Sequence, residues 1–292
     1  MNLLLAYPLF LRLRTGQLGA GWMLVAALLF AWMSVFVKWG AERFSATELL
    51  FYRTLIGWVG IGTVLAIRRQ PLGTHHIGAH LKRSAAGYLS LLLYFYALVH
   101  LPIATAVTLN YTSSLFFALL CVWLLRERLS ARVSLALVLG FAGIIVLLKP
   151  TLSGDAWFAG VMGLGSGLSA GLAVFQVREL GKLGEPEWRT VFFFTGFCTL
   201  MGLGTMLFLP VHPLSPESLG PLLGIGVTAT LGQLAMTRAY REGQKFLVAT
   251  FGYVTVVFSA LLGLLFWGDP LGLDALLAIG LIIFSGVLAA KR

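Results

Sequence analysis

Apolar runs of about 20 residues recur from one end of this chain to the other, with short polar breaks between them. That pattern decides the fold class before any motif is read. A hydrocarbon layer of roughly 30 Å takes one such run per helical crossing. Backbone N–H and C=O groups must be satisfied internally in lipid, and these runs are too long and too little alternating for barrel strands. Helices are the remaining reading. Composition agrees: 59% of the 292 residues are hydrophobic and 11% charged, against about 25% charged in soluble domains. The sequence predicts ten spans: Leu18–Val37, Thr47–Ile67, Ser84–Leu101, Ile103–Leu125, Val133–Leu148, Ala156–Val177, Thr190–Leu209, Leu219–Thr237, Phe246–Trp267 and Leu271–Ala290. No segment between them is long enough for a separate domain.

Charge sets the orientation. The net charge is +10, yet the basic residues form short clusters between apolar runs, as in cytoplasmic membrane loops. They do not build the basic face of a nucleic-acid binder, so no nucleic-acid partner is expected. With the N-terminus inside, the inner segments carry 17 of the 21 Lys and Arg residues. The outer segments carry Lys38, Arg43 and Lys149, and Arg53 falls within the second span. Both ends are therefore expected in the cytoplasm, in a multi-pass protein of the cytoplasmic (inner) membrane. Met1–Phe10 is apolar, but Arg12 and Arg14 follow it, the wrong order for a cleaved signal peptide. Cys121 and Cys198 both fall inside apolar runs, which favours buried packing over metal or disulfide chemistry.

The chain also repeats itself. An offset of 142 residues pairs Tyr111 with Tyr253, Phe116 with Phe258, Thr108 with Thr250 and Glu127 with Asp269. The offset covers five spans, an odd number, so the halves are expected to face opposite ways. That predicts a short N-terminal segment (1–17), a first repeat (18–150) and a second repeat (151–292). Two inverted five-helix repeats are the sequence signature of an alternating-access carrier with its site near the midplane.

Particular residues then resemble a family. Phe51-Tyr52-Arg53, Tyr96-Ala97-Leu98, Leu124-Leu125-Arg126-Glu127 and Gly140-Phe141-Ala142-Gly143 look like an EamA domain. Ala239-Tyr240, Trp267-Gly268-Asp269-Pro270 and Ser285-Gly286-Val287 echo it in the second half. The resemblance implies a ten-helix member of the drug/metabolite transporter superfamily, with a cavity lined mainly by its first, third, fourth, sixth, eighth and ninth helices. Small multidrug-resistance relatives keep a carboxylate in the first helix for proton exchange. Here Phe30-Ala31-Trp32-Met33-Ser34 has none, which argues against that mechanism.

Polar groups deep in a span invite a functional reading, set against interhelical hydrogen bonding as the plainer one. Asn110 and Tyr111 lie about 10 Å inside the layer at 1.5 Å per residue, and Tyr253, the repeat mate of Tyr111, lies equally deep from the inner side. Trp32 and Tyr94 offer aromatic faces to a solute amine. Gln176 and Gln233 offer amides. Arg53 could snorkel outward, pair with Glu48, or meet an anionic group of a solute.

Other signals carry less. The glycines at 163, 165, 167 and 171 sit in a membrane helix with no preceding strand, so close helix packing explains them better than a nucleotide loop. His75, His76 and His80 cluster in the longest inner loop, where no Cys or Asp joins them to bind a metal. No Walker A pattern is present, and no motif requires a cofactor or an enzymatic activity. The expectation is a carrier, monomeric or homodimeric, for a polar metabolite such as an amino acid or its derivative. An exporter of amphipathic compounds and a non-transporting membrane subunit are the alternatives.

Overall fold

A computed structural model describes residues 3–101, 103–126, 128–148, 156–208, 211–268 and 272–290. Glu127, Lys149, Asp269, Lys291 and Arg292 lie outside them. Every element among the described residues is a helix: α1 (Leu3–Gly40), α2 (Ala46–Ile67), α3 (Ile77–His100), α4 (Ile103–Tyr111), α5 (Ser113–Leu125), α6 (Ala131–Leu148), α7 (Trp157–Lys182), α8 (Glu187–Met206), α9 (Pro216–Glu242), α10 (Lys245–Gly252), α11 (Val254–Trp267) and α12 (Leu273–Ala290). Seven helical stretches are long and apolar enough to cross a membrane, α4–α5 and α10–α11 each counting as one, and α12 is a shorter apolar helix. Large apolar side chains such as Trp123, Leu265 and Leu277 stand exposed on the outside, as a lipid-facing surface requires.

The helices pack in couples that repeat when the halves are exchanged. Helix α1 lies against α9, and its counterpart α7 lies against α3. In the first couple Phe30 rests on Gly232 and Phe36 on Gly224. In the second Leu93 rests on Gly165, and the Ser90 hydroxyl donates to the Ser166 carbonyl at 2.9 Å. Two further couples join a helix to its own counterpart. Trp58 of α2 packs on Gly196 of α8 and Phe51 on Gly202, while Ile282 of α12 packs on Gly143 of α6 and Ser285 on Gly140. In both cases rising numbers on one helix meet falling numbers on the other. Matched helices thus run antiparallel in direct contact.

Two apolar runs that read as continuous spans are broken. The fourth divides at Thr112, whose hydroxyl and N–H both turn back to the Leu109 carbonyl. Thr112, Ser113 and Ser114 give the backbone such local alternatives to the helix ladder. The ninth divides at Tyr253, just after Gly252, where the Tyr253 N–H reaches Thr250 at 3.2 Å. The breaks fall within one residue of repeat register. Helix ends match too: Arg126 after α5 and Gly268 after α11, which are 142 residues apart, both take left-handed backbone with φ of 52° and 68°.

Two placements correct the sequence reading. Lys82 and Arg83 do not belong to an inner loop; α3 starts at Ile77 and carries them, and Arg83 is buried. His80 likewise sits in α3, fully buried, instead of in the loop.

Candidate functional site

The break regions come together against α6 and α12. Tyr111 and Tyr253 join the same apolar cluster with Ile144, Val257 and Ile282. The Tyr111 hydroxyl faces Thr255 of α11, and the Tyr253 hydroxyl faces Ser114 of α5 without a properly formed hydrogen bond. Each tyrosine therefore crosses to a hydroxyl-bearing residue just past the other repeat's break. Tyr253 is fully buried, with its ring against Gly140. Tyr94 packs with Leu109 on the α3–α4 side and lies within electrostatic reach of Tyr111.

Asn110 is engaged. Its amide donates to the Ser166 hydroxyl at 3.1 Å, and that hydroxyl donates to the Gly163 carbonyl at 2.6 Å. The helix glycines explain the closeness. Gly163, Gly167 and Gly171 form one face of α7, and a Cβ at Gly167 would strike the Thr112 hydroxyl, while one at Gly171 would stand 2.9 Å from the Ser113 carbonyl. Small residues let the broken backbone approach the neighbouring helix, as the sequence suggested.

Trp32 and Gln176 stand apart from the cluster of Tyr111 and Tyr253. Trp32 meets Phe36 on its own helix and Phe266 of α11, the latter at 5.5 Å edge to face. That aromatic group continues through Trp39 to Trp267, over which Lys38 Nζ sits at 3.9 Å. Gln176 is half-buried on α7, and its amide has no partner among the described residues.

Arg53 and Gln233 do meet. With Thr54, Phe194, Thr195, Ala229 and Thr230 they line one cavity of about 10 Å³, room for a water molecule. The three threonine hydroxyls are turned to their own helix carbonyls, at Leu50, Val191 and Gly226. Glu48, which the sequence offers to Arg53, is taken elsewhere. Sequence reasoning also missed a second interior guanidinium. Arg83 lies 3.7 Å from the centre of the Phe194 ring and within electrostatic reach of both Arg53 and Cys198. A wider groove of about 430 Å³ runs between α2, α8 and α9, lined by Ile61, Leu65, Trp188 and Leu234 among others, and Thr230 is common to both spaces.

Two buried carboxylates close opposite ends of the bundle. Glu48 caps α2 with Ser45, whose N–H donates to it at 2.8 Å, and accepts from the His212 N–H at 2.7 Å. Its other oxygen stands 2.9 Å from His212 Nδ1. Glu185, just before α8, accepts from the Thr74 hydroxyl and from Arg189 Nη1 at 2.8 Å, with His80 Nε2 at 3.3 Å. Burial alone would raise the Glu185 pKa, but Thr74, Arg189 and His80 hold the carboxylate down at about 2.

A helical protein with two matched halves, broken helices and an apolar exterior is a multi-pass membrane protein of the transporter class. The family's sequence profile matches residues 17–149 and again 157–290, and the chain belongs to the EamA-like transporter family. It is 31% identical to the pseudopaline exporter of Pseudomonas aeruginosa over 92% of this chain and 94% of that one. An uncharacterized transporter of Helicobacter pylori is 28% identical over 93% and 94% of the two chains, and the riboflavin transporter of Vibrio cholerae 27% identical over 86% and 85%. A solved crystal structure superposes with a TM-score of 0.82 over 94% of this chain and 96% of the other, at 18% identity, which establishes the fold.

Proposed function

We infer that this protein is a secondary carrier that moves a small organic solute across the cytoplasmic membrane by alternating access. In this reading the chain crosses ten times with both ends in the cytoplasm, after a short segment 1–17, as two inverted repeats over 18–150 and 151–292. The observation that carries it is the antiparallel contact of matched helices, α2 with α8 and α6 with α12. Whatever opening one repeat makes on its side, the other can make on the opposite side by the same movement. Transport names on the relatives, pseudopaline and riboflavin, support a small organic solute as cargo.

The solute class we favour is an amino acid, an amino-acid derivative or a similar polar metabolite. Arg53 and Gln233 share one interior cavity and stand first as substrate contacts. Gln176 and Tyr94 are proposed to meet the solute as the cavity widens, and Trp32 lies on its way out. Asn110, Tyr111 and Tyr253 touch it at the broken helices, where unwound backbone and small hydroxyls give polar groups without charge. The apolar groove between α2, α8 and α9 favours a second reading, export of an amphipathic compound by the same fold.

No carboxylate lies in the middle of any helix among the described residues, so we propose facilitated transport or exchange without an intramembrane proton carrier. Counterflow in liposomes with a pooled panel of radiolabelled metabolites tests the function. Accumulation of one solute class without any imposed gradient is expected. A flux that vanishes when the proton gradient collapses would contradict the energetics. Tags after residues 149 and 292 that emerge on the same side would overturn the inverted topology.

A further inference from the structure

Arg53 and Arg83 reach the interior from different helices, at the level of Phe194 and Cys198 near the middle of α8. Arg83 is 3% exposed, and its Nε and Nη1 are sealed from solvent without a hydrogen-bond partner. The chain makes room for it deliberately: a Cβ at Gly87 would stand 2.6 Å from Arg83 Nη1 and 2.8 Å from the Phe194 ring. Arg53 is partly buried, and its side chain helps wall the small apolar cavity that Phe194 also lines. Among the described residues no carboxylate acts on either group. The charged neighbour that Arg83 feels is Arg53 itself, and the remaining nearby titratable group is the Cys198 thiol.

Such an arrangement is costly unless something else completes it. A guanidinium does not give up its proton at any ordinary pH and presents five donors. Stacking on Phe194 satisfies part of the charge of Arg83 but none of its N–H groups. Two like charges in a low-dielectric interior repel, and an unpaired buried charge costs far more than a paired one. Glu48 and Glu185, the buried acids that could have neutralised them, are committed at the two ends of the bundle. The missing partner is an anion.

We propose that Arg53 and Arg83, with the Gln233 amide as a neutral donor, form an oxyanion site, and that the solute of the carrier reading above, on which this step rests, is a small organic anion. Its carboxylate or phosphate group seats between the two guanidinium forks, which match the geometry of either. The cavity is water-sized in this structure, so the solute enters as α2, α8 and α9 part along the groove that shares Thr230. The two charges bias the carrier against cationic amines, which distinguishes it from exporters of amphipathic cations.

The test uses the full chain purified in detergent, with citrate and inorganic phosphate as probes and sodium chloride at equal ionic strength as the control. Citrate or phosphate is expected to raise Tm by several degrees beyond the control, and whichever acts at lower concentration names the group. Arg53→Met and Arg83→Met should each abolish that shift. Without any added oxyanion their Tm should equal or exceed that of the parent, because one of two repelling charges is gone. Arg83→Lys, which keeps charge but loses the fork, should retain a reduced shift. If one Met variant does not fold, the other decides. A shift matched by chloride, a citrate shift that survives both Met substitutions, or lower stability of both Met variants without anions would each overturn the proposal. Counterflow without an oxyanion shift would leave the carrier reading intact and overturn this proposal; an oxyanion shift without counterflow of any anion would leave an anion site but overturn the proposal that the anion is the transported solute.

Discussion

The two ends of the bundle are closed by the same device built from different chemistry. At each, an acid at the start of the second helix of one repeat grips the loop between the second and third helices of the other. Glu48 holds His212 of the α8–α9 loop, and Glu185 holds Thr74 of the α2–α3 loop. The partners differ in kind. Glu185 faces a guanidinium whose side chain is 15% exposed, and Arg189 also donates to the Pro71 carbonyl at 3.0 Å, so one residue ties acid and loop together. Glu48 relies on a backbone N–H and an imidazole that is 54% exposed. The further pair at that end, Arg43 with Glu217 at 2.8 Å, lies on the surface, where ion pairs contribute about 0–1 kcal/mol. In the proposed topology the cytoplasmic end is the more tightly shut. The difference teaches that matched architecture does not make the two openings equally easy.

Breaking the stronger clasp should have the largest effect. Glu185→Gln removes the charge that Arg189 and buried His80 face and is expected to destabilise the protein by about 3 kcal/mol, as when one partner of a buried pair is removed. Thermal unfolding in detergent reads this as a lowered Tm. An unchanged Tm would mean that the Glu185 end is no firmer than the other.

Acid should act on the same clasp. The folded Glu185 carboxylate titrates at about 2, below its ordinary value of 4.5. Its stabilising contribution is thus complete above pH 4.5 and is lost as the pH falls from there toward 2. The groups facing it are Thr74, His80 of α3 and Arg189 of α8. Stability measured across that window should fall less steeply in Glu185→Gln than in the parent; parallel curves would show that the carboxylate is not the group responsible.

Glu48→Gln should cost less, about 1–2 kcal/mol. An amide keeps one acceptor oxygen, for either the His212 N–H or the capping Ser45 N–H, and turns its NH2 toward the other. A loss equal to that of Glu185→Gln would erase the distinction between the ends.

Much of this plan was legible before the structure, and the gaps have physical causes. Apolar runs give the helices, and the shared register of Tyr111 and Tyr253 gives the repeat. The glycine face of α7 was readable as packing because the glycines at 163, 167 and 171 fall at helical spacing. Hydropathy misplaced Arg83, since charges beside a span read as loop, and only the Phe194 ring of a distant helix reveals that this one is interior. His80 was misread for the same reason, its partner Glu185 belonging to the other repeat. The supposed pairing of Arg53 with Glu48 overlooked Ser45, which marks Glu48 as the third position of a capping box and so as already used. The helix breaks escaped notice because a single turn of lost ladder leaves the apolar run intact.

The repeats can also be compared at one backbone angle, with the smallest effect of the four. The residue that ends α5 and the one that ends α11 both adopt left-handed backbone, but the second repeat uses Gly268 there and the first uses Arg126. Glycine reaches that region without steric conflict, whereas a Cβ-bearing residue meets its carbonyl oxygen. In the proposed topology Arg126 lies on the cytoplasmic side, where the positive-inside rule favours a basic residue. Arg126→Gly should therefore relieve backbone strain and stabilise the folded protein by about 0.5–1 kcal/mol, less the entropy that glycine adds to the unfolded chain. The measurement is Tm of the purified variant, with Gly268→Arg as its mirror. Glycine is expected to raise Tm in the first repeat and arginine to lower it in the second. A fall in both would mean that the Arg126 side chain holds the helix end by contacts that outweigh its backbone angle.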